Sequence, residues 1–157
     1  MTSMVALGIG GERAMTLWTL LSGWSAAGVL YALSRRHLSR DWALAVALLF
    51  LTTPAVVYAS GTGQVEIRSA AFVLVAVLAV LEARRLDNPA FAALAGVAVG
   101  FFAGSKYPGL FFIPLAGLAV TVQRRWFRHG LAFAAAALIS AAPFYLWHWW
   151  NTGDPFY

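Results

Sequence analysis

The chain has 157 residues, 61% of them hydrophobic and only 11% charged, with a mean hydropathy of +0.74; this excludes an ordinary soluble core and reads as an integral membrane protein. A net charge of +5 does not make it a nucleic-acid binder: eight of the eleven basic residues fall in three short clusters between apolar runs, which anionic lipid headgroups and membrane orientation explain. Cysteine is absent, so disulfides and thiolate metal sites are excluded too.

In chain order, Met1–Gly11 is mildly apolar and Gly-rich and reads as the tail of an extramembrane loop or a short surface helix. It has no basic n-region, and Glu12 and Arg13 follow it, so it is not a signal peptide. The first span is expected over 14–33, where Gly23, Ala27 and Gly28 permit close helix packing. Ser34–Arg40 is a basic turn, and Asp41 is placed to cap a second span over 42–59, whose last turns Pro54 loosens.

The polar stretch Ser60–Arg68 comes next, directly against the apolar run Ser69–Leu81. That run covers about 20 Å, too little for a hydrocarbon core of ~30 Å. A third span over 65–83 therefore draws Glu66 and Arg68 to the membrane surface or just beneath it, where ionisable groups are costly and function is the default expectation. Asp87-Asn88-Pro89 is a helix start, a cap residue followed by Pro at the first helical position. The fourth and fifth spans, 89–104 and 109–122, are short and flank Gly104-Ser-Lys-Tyr-Pro-Gly109, which sets Lys106 in a recess. After the third basic cluster, Gln123–His129, a sixth span over 130–150 kinks at Pro143 and ends in an interfacial aromatic belt of Trp147, Trp149 and Trp150. No tandem repeat of fixed period is visible.

The expected fold is an all-α, polytopic bundle of about six transmembrane spans in one domain over 1–157. Arg35, Arg36, Arg40, Arg84, Arg85, Arg124, Arg125 and Arg128 share alternate loops, while the opposite loops hold only Arg13, Arg68 and Lys106. The positive-inside rule puts the Arg-rich side in the cytoplasm. Glu66, Arg68, Lys106, Tyr107, Asn151 and Asp154 then gather on the outer face.

Glu66 suits a general base, or a ligand for a divalent metal or a sugar hydroxyl; the bland alternative is a helix-start carboxylate paired with Arg68 or Lys106. Lys106, between glycines that let backbone approach a ligand, suits an anionic headgroup, most naturally phosphate; otherwise it is a lysine snorkelling to water. Arg68 suits the same task. Asn151 and Asp154, in Asn-Thr-Gly-Asp-Pro, read from spacing as a plain turn. His37, His129 and His148 lack metal-site spacing and read as structural or interfacial; Glu82 and Asp87 read as solvated residues near Arg84 and Arg85.

Taken in order, an acidic residue opening a span, an Arg pair, Gly96-x-x-x-Gly-Phe-Phe-Ala-Gly-Ser-Lys-Tyr-Pro-Gly109, and Pro143-Phe-Tyr-Leu-Trp-His-Trp-Trp-Asn-Thr-Gly-Asp-Pro-Phe-Tyr157 form a pattern. It resembles the membrane-embedded GT-C glycosyltransferases, in the bacterial branch similar to protein mannosyltransferases and the lipid A aminoarabinose transferase. The resemblance implies a GT-C-like bundle that moves a sugar from a polyprenyl-phosphate carrier to an acceptor on the outer membrane face, with membrane lipid and the lipid-linked donor as partners; the basic loops and the lack of a eukaryotic targeting signal lead to the expectation of a bacterial inner membrane. It implies Lys106 as the contact to the lipid-linked phosphate and Glu66 as an acidic position of the site, where the family more often has Asp; Arg68, Tyr107 and Asn151 are the further substrate-binding candidates. The family's primary acidic residue follows a first span that is not found before Ala14, so a fragment or truncated product of a larger enzyme is expected. A transporter or flippase segment for a lipid-linked or anionic substrate is the alternative, since Gly/Pro-broken short spans around a lysine also suit transport. A purely structural membrane subunit is the third.

Overall fold

The polar interruptions of the sequence become helix ends. The computed structural model describes residues 2–122 and 125–156, with side chains from residue 8 onward. Met1, Gln123, Arg124 and Tyr157 lie outside the described residues, and with them part of the third basic cluster and the last residue of the expected C-terminal signature. Every regular element among the described residues is an α-helix. Helix α1 (Thr2–Ser34) contains the expected first span and is broken at Gly10 and Gly11, the latter at φ 62°, a conformation glycine enters freely. Helices α2 (Arg40–Thr52) and α3 (Pro54–Gly61) occupy the expected second span but meet at a bend of 58°. The cause is local: Pro54 has no N–H to continue α2, and it holds Thr53 extended at ψ 125°. Asp41 does not cap α2; Ser39 takes the N-cap position and Asp41 lies in the first turn, where the helix dipole favours a carboxylate.

Helix α4 (Val65–Leu86) has Glu66 in its first turn and Arg84 and Arg85 in its last, both signs matching the helix dipole. Asn88 caps α5 (Pro89–Ser105) as expected: its Oδ1 accepts from the Ala90 N–H at 2.9 Å, with Pro89 at the first position. Helices α6 (Pro108–Thr121) and α7 (Trp126–Thr152) complete the order. By length and composition, Gly8–Ser34 and Trp126–Thr152 are each able to cross a membrane, the bent α2–α3 pair makes a third candidate, and α5 and α6 are shorter apolar helices.

The chain divides into two compact units, Met1–Leu74 and Val75–Tyr157, the boundary falling within α4. In the first, Gly23 of α1 faces Ser60 of α3 so closely that an added Cβ would lie 3.0 Å from its Oγ. Ala26, Ala27, Ala43, Ala47 and Ala59 fill the rest. In the second, the core is Ala76, Ala79, Ala83, Ala92, Ala95, Ala98, Val99, Ala116, Val120 and Phe133. Helices α5 and α7 nearly touch backbones: a Cβ on Gly96 would stand 2.2 Å from the Phe133 carbonyl oxygen, and one on Gly100 2.5 Å from that of Ala137. The large apolar side chains point the other way, with Trp24, Leu49, Phe111, Leu138 and Ile139 exposed. Small residues inside and large ones outside reverse the order of a water-soluble core. That order suits lipid, where helices associate through close packing and the outer face meets acyl chains.

Candidate functional site

Lys106 stands at the tip of the α5–α6 hairpin because three local devices stop one helix and start the next. Its own backbone leaves the helix for an extended conformation, while its N–H still closes the last turn on the Phe102 carbonyl at 3.0 Å. Pro108, without an N–H, opens α6, and the Gly109 N–H bonds the Lys106 carbonyl at 2.9 Å. The chain then doubles back tightly: a Cβ on Gly109 would lie 2.4 Å from the Ala103 nitrogen, so only glycine fits. Lys106 and Tyr107 are left exposed at the turn.

The end of α7 lies alongside this tip. The Tyr145 hydroxyl donates to the Ala103 carbonyl at 2.8 Å, tying α7 to the last turn of α5. Phe144 covers Gly104, where an added Cβ would meet the Phe144 Cβ at 3.3 Å. Beyond Thr152 the chain turns at Gly153 in the left-handed region (φ 75°). The Phe156 N–H then bonds the Asp154 carboxylate at 2.8 Å. This places the Phe156 ring 5.7 Å from Tyr145 and its carbonyl on the Tyr107 hydroxyl. Ser105, Lys106, Tyr107, Phe144, Tyr145 and His148 line the resulting cavity of about 440 Å³. Asn151 is not among the lining residues; its amide donates to the Trp147 carbonyl at 2.7 Å, within its own helix. A second cavity, of about 280 Å³, has walls of Ala, Val, Leu and Phe from α4 and α6 and carries no group for chemistry.

In the first unit, Glu66 is exposed and Arg68 is buried, so the two residues expected side by side at the membrane surface differ in their surroundings. The Arg68 Nη2 donates to the Gly63 carbonyl at 3.4 Å, and the Glu66 carboxylate acts on its charge. Gly63 takes φ 72° and packs on Met15, which fixes the carbonyl that Arg68 meets. Among the described residues no three His, Cys, Asp or Glu side chains converge as a metal site would need.

Two histidines read as structural or interfacial behave differently from each other. His148 is part of the Lys106 cavity. The available signal was spacing, since Phe144, Tyr145 and His148 fall at i, i+1 and i+4 on one face of α7. His129 is fully buried at the opposite end of α7, its Nδ1 3.0 Å from the Arg125 carbonyl and its Nε2 3.8 Å from Asp87. Asp87 also meets the Arg125 Nε at 3.2 Å, so it is a paired anchor between the α4–α5 turn and α7, not a merely solvated neighbour of Arg84 and Arg85. Glu82 pairs with Arg85 at 3.1 Å.

The model of one protein family, Glycosyltransferase family 87, matches residues 9–155. No curated relative and no solved structure matches the chain.

Proposed function

The chain belongs to glycosyltransferase family 87, a GT-C-type family of membrane glycosyltransferases, and from that premise we propose that it forms part of an integral membrane enzyme that transfers a sugar from a polyprenyl-phosphate carrier to an acceptor on the non-cytoplasmic face of a bacterial inner membrane. In this reaction an acceptor oxygen attacks the anomeric carbon, the bond from that carbon to the phosphate oxygen breaks, and the lipid phosphate leaves with an added negative charge. A carboxylate near the acceptor takes its proton, and a cation near the phosphate stabilises the leaving charge. Glu66 is assigned the first role. Lys106 is assigned the second, with Tyr107 beside it. Arg68 and Asn151 are kept as further substrate-binding candidates, Arg68 meeting the Gly63 carbonyl ahead of the helix that carries Glu66 and Asn151 bonded within α7.

The observation that carries the reading is the cavity at the α5–α6 tip, in which a lysine faces polar and aromatic side chains next to short apolar helices. An anionic headgroup at the membrane surface, with its acyl chain in lipid, fits a cavity so placed. The positive-inside rule supports an outward site: with the Arg-rich loops in the cytoplasm, the turn that carries Lys106 would face the outer side. Binding of a polyprenyl-phosphate sugar to the purified chain in detergent tests the reading. Lys106→Ala is expected to weaken binding about tenfold or more, the worth of a charge-assisted contact. Equal binding by the variant and the parent overturns the assignment of Lys106.

A further inference from the structure

A phosphate needs hydrogen-bond donors, and most of the polar groups on the cavity wall have already spent theirs. The Ser105 hydroxyl donates to the Phe101 carbonyl at 2.7 Å, Tyr145 to the Ala103 carbonyl at 2.8 Å, and Tyr107 to the Phe156 carbonyl. A hydroxyl has one proton to give, so none of the three can serve an ionised phosphate without abandoning a backbone carbonyl. His148, on the same wall, is a further side chain with a ring proton to give. Its ring packs against two aromatics, with centroids 4.5 Å from Phe144 and 5.3 Å from Trp147. Its Nδ1 is buried and has no hydrogen-bond partner among the described residues. An orphaned buried N–H is the rarer and costlier arrangement, so the hydrogen-bond pattern assigns Nδ1 as the bare nitrogen and Nε2 as the one that carries the proton.

We propose that His148 is a second phosphate-binding group of the Lys106 cavity, donating through Nε2–H to a phosphate oxygen of the lipid-linked donor. The inference rests on the reading of this cavity as the donor's phosphate site. It gives the pair a division of labour. The lysine supplies charge from a flexible stem, and the histidine supplies direction from a ring packed against Phe144 and Trp147.

Three substitutions in the full chain test it, with a polyprenyl phosphate as probe and the matching phosphate-free polyprenol as control, in detergent. His148→Gln keeps a donor near the Nε2 position, His148→Asn keeps one only near Nδ1, and His148→Phe keeps the stacking and removes both. His148→Phe and His148→Asn are expected to weaken phosphate binding about tenfold and His148→Gln by less than about threefold, with polyprenol binding unchanged in all. Should His148→Phe fail to fold, the ordering of Gln above Asn carries the test. Equal binding by Gln and Asn, or parental binding by Phe, overturns the role of His148 while a loss in Lys106→Ala leaves the cavity reading standing. No loss in Lys106→Ala overturns both. Phosphatidylglycerol is the competitor: if it displaces the probe as well as unlabelled polyprenyl phosphate does, the site holds ordinary lipid headgroups and the proposal falls.

Discussion

Asp87 occupies a backbone conformation, φ 48°, that L residues avoid at about 1–2 kcal/mol and that Asp and Asn enter more readily than most. It is held there by two partners, Arg125 and the buried His129. Two contributions are therefore separable by substitution. Asp87→Gly removes both partners but relieves the backbone, and is expected to cost about 1 kcal/mol; Asp87→Ala removes the partners and keeps the strain, and is expected to cost about 2 kcal/mol. Thermal unfolding in detergent reads the order directly, and an Asp87→Gly variant less stable than Asp87→Ala would show that the backbone conformation is not what matters. The same scale explains why His129 and His148, alike in the sequence, part company in the fold. One is fully enclosed where α7 begins, with a carbonyl on Nδ1 and a carboxylate near Nε2. The other shares a cavity with a lysine.

Between elements, glycine is the interface. An added Cβ would strike α7 backbone at Gly96, the Phe133 carbonyl oxygen, and at Gly100 both the Ser140 hydroxyl and the Ala137 carbonyl oxygen; the backbone atoms cannot rotate away as a side chain can. Gly96→Ala and Gly100→Ala are each expected to force α5 and α7 apart and destabilise the second unit by about 1–3 kcal/mol. Gly28, in α1, has nothing within 4 Å of an added Cβ. Gly28→Ala is expected to be neutral or to stabilise by up to about 1 kcal/mol, because alanine loses less backbone entropy in a helix. Denaturation of the three variants side by side checks this contrast; equal effects at positions 28 and 96 would mean that the close α5–α7 approach contributes nothing. Gly109 belongs with the first pair, since its missing side chain lets the hairpin close beneath Lys106.

Across the whole molecule, the lack of native cysteine makes membrane orientation measurable without background. Ser39, in the Arg-rich turn, and Thr62, before α4, are both exposed and are proposed to face opposite sides. A membrane-impermeant maleimide added to intact spheroplasts is expected to label Thr62→Cys, and to label Ser39→Cys only after permeabilisation; the reverse pattern would overturn the proposed outward site. Helix positions were legible in the sequence because their signals are local. Asn88 and Pro89 start α5, and helices Val65–Leu86, Pro89–Ser105 and Pro108–Thr121 overlie the segments 65–83, 89–104 and 109–122; Pro54, expected only to loosen the end of a helix over 42–59, breaks α2 from α3. The ordered motifs around Lys106 and Asn151 likewise pointed to a glycosyltransferase family, and the match over residues 9–155 is to one. The inward face of each helix was not legible. In a chain this apolar, hydrophobic residues lie all round a helix, so their period does not mark the side that meets a neighbour. Only the tertiary structure could bury Arg68 and expose Glu66, join Asp87 to Arg125 and His129, and bring His148 to the Lys106 cavity while leaving Asn151 on its own helix. Local signals in the sequence set several helix ends, at Pro54, at Asn88 with Pro89, and at Pro108. Which side chains share a cavity was decided by which backbones glycine and alanine allow to approach.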